Sequence, residues 1–125
     1  MTTTEQQAQA EHQAMTFTEE QDLLRQTARK FLTSKVGTDV VRRLMETDDA
    51  FDADLWAETA QMGWQAMAIP EEFGGAGYGF VELSVLMEEM GRAVFPLPFL
   101  SSAVLAAQAI LLGGSDAQRS EHLRQ

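Results

Sequence analysis

The segment Ala93-Val94-Phe95-Pro96-Leu97-Pro98-Phe99-Leu100-Ser101-Ser102-Ala103-Val104-Leu105-Ala106-Ala107-Gln108-Ala109-Ile110-Leu111-Leu112 decides how the chain is read. It carries no charged residue over roughly the 20 positions that a bilayer span requires. Pro96 and Pro98 interrupt it, because each lacks an amide donor and crowds the turn before it. What remains, Phe99 to Leu112, is too short to cross a bilayer and contains Ser101, Ser102 and Gln108. It therefore reads as a helix shielded by protein, apolar almost all round and so buried on every side. No membrane span is expected.

The neighbouring segments support a helical setting. Downstream, Gly113-Gly114 ends the apolar helix, and Ser115-Asp116-Ala117-Gln118 has the spacing of a capping box that opens another. Upstream, Phe80 to about Arg92 carries Phe80, Leu83, Met87, Met90 and Val94 on one face, with Glu82, Glu88 and Glu89 mostly outside it. The methionines suit either a pliable pocket or plain core, and core is the commoner use. Gly91 would admit another backbone at close range. Before this helix lies Pro70-Glu71-Glu72-Phe73-Gly74-Gly75-Ala76-Gly77-Tyr78-Gly79. Its glycines permit positive φ and tight packing, but Phe80 stands where a dinucleotide fingerprint needs its third glycine. No Gly-Lys-Ser/Thr is present either. An ordered turn leading into a helix fits better than a phosphate cradle.

The N-terminal half follows the same pattern. Thr18-Glu19-Glu20-Gln21 is a capping box that starts a helix burying Leu24, Ala28, Phe31 and Leu32 and ending at Gly37. A short helix from about Asp39 turns Val40, Val41 and Leu44 inward. A third starts near Asp52 or Asp54, presents Leu55, Trp56, Thr59 and Met62, and stops at a left-handed Gly63. Trp64 to Ile69 is an apolar connector. No segment alternates as a strand does. The expected fold is all-α, an irregular bundle of five to six helices over residues 17–125, preceded by a flexible polar tail over residues 1–16.

Composition removes several function classes. The chain has 125 residues and a formal charge of -10, which disfavours nucleic acid as a partner. From Met45 to Gly91 there is no Lys or Arg, while carboxylates run from Glu46 to Glu89. A solvated acidic face accounts for this more simply than a surface built for a basic partner. The absence of cysteine excludes disulfides and thiolate metal sites. The two histidines, His12 and His122, are too far apart in sequence for a paired-His zinc motif. No targeting signal is visible at the N-terminus, so a reducing cytoplasm is the expected compartment.

Four motifs in order carry a resemblance. Phe17-Thr18-Glu19-Glu20-Gln21-Asp22-Leu23-Leu24, Ile69-Pro70-Glu71-Glu72-Phe73-Gly74-Gly75-Ala76-Gly77, Met87-Glu88-Glu89-Met90-Gly91-Arg92-Ala93 and Gly114-Ser115-Asp116-Ala117-Gln118-Arg119 together resemble the N-terminal helical domain of the acyl-CoA dehydrogenase family. The resemblance implies an FAD enzyme that desaturates the α,β bond of an acyl-CoA thioester. In such enzymes a Glu carboxylate takes the α-proton and the flavin takes the β-hydrogen as hydride. It also implies that this chain corresponds to about a third of a full subunit. The middle β domain, the C-terminal helical domain and the catalytic glutamate then lie outside it, and no carboxylate here takes that role.

By the same resemblance, Ser101, Ser102 and Leu105 occupy positions that line the closed end of the acyl tunnel and contact the acyl-CoA substrate. The alternative is that the serines bond back to the preceding turn and Leu105 is core. Phe95-Pro96-Leu97-Pro98-Phe99 looks like a bacterial branch acting on bulky or cyclic acyl-CoAs, such as steroid side-chain products. Some of that branch work as heteromeric pairs in which one subunit binds no FAD. Three functional expectations stand. The chain is one wall of the acyl pocket in an FAD-dependent enzyme and inactive alone, completed by the missing domains or another subunit. It is a partner subunit or truncated remnant without flavin. Or it is an unrelated acidic helical interaction module. A free-standing module would keep the apolar helix covered, whereas a piece of a larger enzyme would leave it bare.

Overall fold

The computed structural model describes Thr4 and residues 16–124, so most of the tail expected over residues 1–16 lies outside the described residues. Among the described residues six α-helices follow one another: α1 Glu19–Lys35, α2 Thr38–Met45, α3 Ala53–Gln61, α4 Phe80–Ala93, α5 Ala107–Gly113 and α6 Asp116–His122. A 3₁₀ turn at Glu71–Phe73 precedes α4, and a π-helical segment at Leu100–Ala106 runs into α5. No strand occurs among the described residues, and the chain is all-α. None of these helices is long and apolar enough to cross a membrane.

The capping signals act as the sequence indicates. Thr18 Oγ1 accepts from the Gln21 amide at 3.2 Å, and the Gln21 side chain accepts from the Thr18 amide at 2.9 Å. Asp52 is the N-cap of α3, accepting from the Leu55 amide at 2.9 Å, which decides between the two aspartates. Gly63 ends that helix at φ 77°. Ser115 and Gln118 close the box on α6.

The main core lies between α1, α3, α4 and the segment after α4. Ala28 and Leu32 from α1 are fully buried, as is Leu86 from α4, together with Leu55, Trp64, Met67, Leu83, Met90 and Phe99. Phe31 meets Trp64 edge to face, ring centres 5.2 Å apart. A second, smaller core joins Ile69, Ala107 and Leu123, with Phe73, Ile110 and Leu111 against it. It ties the turn before the glycine loop to the C-terminal helices. Arg119 Nε adds to this by donating to the Leu111 carbonyl at 2.9 Å.

Three expectations about α4 are corrected. Phe80 and Val94 are each 64% exposed, and the buried stripe is Leu83, Leu86 and Met90, joined by Val85 and Glu89. Glu89 is inside rather than outside the apolar face, at 1% exposure. The physical reason is α1, which brings Arg25 and Arg29 to that face, so a carboxylate there is fully partnered. The expected backbone neighbour of Gly91 is also missing: a Cβ there would meet nothing within 4 Å.

The apolar helix differs more. It is a π segment followed by an α-helix, with the Ala107 amide reaching the Ser102 carbonyl five residues back. Nor is it buried on every side. Phe99, Ala103 and Ala107 face the core at four-residue intervals, while Leu100, Leu105 and Leu112 are 52%, 60% and 80% exposed. Composition records the surroundings a helix is built for. Within this chain only one of its faces finds them.

Candidate functional site

The site grows from the break after α4. That helix ends at Val94 in the left-handed region, φ 53° and ψ 51°, where a β-branched residue is strained. The Val94 and Phe95 amides satisfy the Gly91 and Met90 carbonyls, at 3.1 and 2.9 Å, and Pro96 prevents continuation. The chain then doubles back through Leu97 and Phe99, both buried, into the π segment. Between the two arms lies a groove of about 300 Å³ lined by Met87, Met90, Gly91, Val94, Phe95, Leu97, Phe99 and Leu100. So the methionines serve both readings: Met90 is core, and with Met87 it also floors an apolar groove.

Ser101, Ser102 and Leu105 all stand exposed on the π segment, next in sequence to the groove residue Leu100. Ser101 Oγ donates to the Pro98 carbonyl at 3.3 Å, the back-bond expected of a helical serine. Leu105 is not core. With Leu100 and Leu112 it forms the outer, apolar side of the C-terminal arm, which nothing in the described residues covers. None of the three lines the groove itself.

A second concavity of about 400 Å³ shares no residue with the first. Leu24 and Thr27 of α1, Met62 to Trp64, Met67, Ala76 and Tyr78 enclose it, with Glu20 and Glu82 among its walls.

Electrostatics centre on Glu89, which sequence reading placed outside. Its carboxylate accepts from Arg29 Nη2 at 2.7 Å and Nε at 3.0 Å, from Arg92 Nε at 2.9 Å, and more distantly from Arg25 Nη1 at 3.5 Å. The Arg29 hydrogen bonds, helped by Arg92 and opposed by burial, hold its pKa down to about 2. A general base must instead be poised to take a proton. Glu89 is an anion locked in place, so its role is structural. The signal for it was present: Arg25 and Arg29 recur four apart on α1, on the side that turns toward α4. Among the described residues, no group of His, Asp or Glu is placed to hold a metal ion.

The family model of the acyl-CoA dehydrogenase N-terminal domain matches residues 18–125. The chain belongs to the acyl-CoA dehydrogenase family. It is 34% identical to acyl-CoA dehydrogenase IpdE2 of Mycobacterium tuberculosis over 112 residues, 89% of this chain and 35% of that protein. IpdE2 of Mycolicibacterium smegmatis is also 34% identical, over 80% of this chain and 32% of its own length. The Tcur3481-Tcur3483 steroid ACAD G363A variant superposes with a TM-score of 0.74 at 34% identity, covering 85% of this chain and 30% of that one. The ChsE4-ChsE5 complex of Mycobacterium tuberculosis shares the fold, with a TM-score of 0.72 at 24% identity, over 88% of this chain and 28% of that one. The chain thus spans about a third of the length of the curated relatives it matches. Membership excludes the unrelated interaction module.

The flavin that acyl-CoA dehydrogenases use carries a pyrophosphate, and the glycine loop is the natural place to look for its cradle. It does not fit. The amides of Gly74, Gly75, Ala76, Gly77 and Tyr78 donate to the carbonyls of Glu71, Pro70, Ala66, Ile69 and Met67, at 2.9 to 3.1 Å. The Gly79 amide donates to Glu82 Oε2 at 3.1 Å. The amides from Phe73 to Gly79 are thus consumed within the chain, and the Arg124 guanidinium beside the loop donates to the Glu72 carbonyl at 3.1 Å. A Cβ at Gly75 would fall on the Ile69 carbonyl, so that glycine serves close packing within the chain.

Proposed function

We propose that this chain is the N-terminal wall of the acyl pocket in an FAD-dependent acyl-CoA dehydrogenase, which desaturates an acyl-CoA thioester, and that it is inactive alone. The uncovered apolar side of the C-terminal arm carries the reading. Leu100, Leu105 and Leu112 present an apolar strip to solvent, and an arm this poor in charge is built to lie against something. Ser101, Ser102 and Leu105 would face the acyl chain from this arm, and the groove between Met87 and Leu100 would take part of its bulk. The chain's own task is to bind and orient the acyl group and to exclude water from it. The flavin, when bound in the completed enzyme, supplies hydride acceptance. The base that takes the α-proton comes from outside this chain, since the buried Glu89 is held as an anion by arginines.

The pocket is completed by further domains or by another acyl-CoA dehydrogenase subunit. The second form has specific support: the amides from Phe73 to Gly79 are consumed within the chain, and one relative of 34% identity is named for a pair and for steroid substrates. A bulky or cyclic acyl-CoA is the substrate class this favours. In that form the chain is a partner subunit or remnant without flavin. Its compartment would be the cytoplasm.

The test has two arms. Purified alone, the chain should be colourless and leave acyl-CoAs unreacted; flavin absorbance near one FAD per chain would overturn the reading. Combined with an acyl-CoA dehydrogenase subunit, it should yield acyl-CoA-dependent dye reduction. Ser102→Trp should then raise KM for bulky acyl-CoAs several-fold with little change in kcat. An unchanged KM would remove these residues from the wall.

A further inference from the structure

The concavity of about 400 Å³ between α1, the Met62–Met67 connector and the glycine loop shares no residue with the groove beside the C-terminal arm. Its floor is apolar, with Leu24, Trp64 and Met67, and its rim adds the exposed Leu23 and half-exposed Tyr78. Its two charged walls, Glu20 and Glu82, are both carboxylates, and no Lys or Arg lines it. The nearby cation on α1, Arg25, is taken up by Glu88, Glu89 and the face of Phe17. Glu19 and Asp22 add exposed negative charge on the same first turn of α1. The chain from Met45 to Gly91, which supplies most of the remaining wall, has no basic residue at all.

We infer that this notch docks a protein partner through one large apolar side chain carried on a segment rich in Lys and Arg. The apolar floor gives the anchor a desolvated pocket, the usual seat of interfacial binding energy. The acidic rim selects the flanking charge and speeds encounter. A solvated acidic face alone would not explain why the carboxylates surround an indented apolar floor with Tyr78 and Leu23 left open to water. Hydrogen bonds hold the notch open: the Tyr78 amide donates to the Met67 carbonyl at 2.9 Å, and Gln21 Nε2 donates to Glu82 Oε1 at 3.0 Å. The inference is independent of the acyl-pocket reading, with which it shares no lining residue.

The test selects a random heptapeptide library on the immobilised full chain. The winners should share a Leu, Met or Phe flanked by Lys or Arg, and should shift the methyl resonances of Met62 and Met67. Replacing the apolar residue by Ser, or the chain's Leu23 by Ser, should weaken binding about tenfold or more. Glu20→Gln should weaken it several-fold, and affinity should fall as salt rises. Leu23 and Glu20 are both exposed, so these variants should melt like the parent. Winners without the basic-apolar pattern, binding indifferent to both variants, or unmoved Met62 and Met67 methyls would each overturn the inference. So would displacement by small organic cations with no response to any peptide, which would make the notch a small-molecule site.

Discussion

Glu89→Gln should destabilise the chain through its arginine cluster, and the size of the loss can be worked from the structure. The carboxylate is 1% exposed and accepts three hydrogen bonds of 3.0 Å or less from Arg29 and Arg92. Its pKa lies at about 2, against 4.5 for the free side chain. At ~1.4 kcal/mol per unit, that difference corresponds to a ceiling of about 3.5 kcal/mol. Water reaches the other side of the pairs, since Arg29 and Arg92 are 53% and 47% exposed, so screening reduces the figure to about 1–2 kcal/mol. An amide of the same shape also turns an NH₂ group toward guanidinium donors and leaves them short of an acceptor, which brings the expected loss to about 2–4 kcal/mol. Because the folded pKa is depressed, the stabilisation is complete above pH ~4.5 and disappears as pH falls toward 2. Urea unfolding followed by circular dichroism from pH 7 to pH 2.5 reads both effects. The parent should lose stability across the acid range more steeply than Glu89→Gln. A loss below about 0.5 kcal/mol at pH 7, or parallel acid profiles, would refute the argument.

Other perturbations separate strain, packing and surface. Val94→Asn relieves a β-branched residue at φ 53° and loses little contact, so it should raise stability by about 0.5–1 kcal/mol in thermal melts. Gly75→Ala drives a Cβ into the Ile69 carbonyl and should lose about 2 kcal/mol or more, whereas Gly91→Ala meets open space in a helix and should gain about 0.5–1 kcal/mol. Leu105→Asp and Leu112→Asp should leave chemical stability within about 0.5 kcal/mol while sharply reducing binding of a hydrophobic dye. Equal dye fluorescence in all three proteins would place the dye elsewhere.

Local rules made most of the fold legible. The capping boxes at Thr18 and Ser115, the stop at Gly63 and the helical periodicity of α1 all concern neighbours a few residues apart, where sequence and geometry are directly linked. What escaped depends on distant neighbours. Glu89 is buried only because α1 delivers Arg25 and Arg29 to it across the bundle. The exposure of Leu105 and Leu112 escaped for the opposite reason, since an apolar helix states what it needs and not whether this chain provides it. Family membership was legible in four short motifs. The acidic rim around an apolar notch was not, because its residues come from four separate stretches of chain.

The π segment at Leu100–Ala106 has a consequence for how the arm can vary. A π turn holds about one residue more than an α turn over a similar rise. One residue can therefore be dropped from this stretch, and the coil tightens to α while Ala107 and all that follows keep their seats. A single-residue loss is then absorbed on the exposed side of the arm, and the packing of the residues that follow is spared.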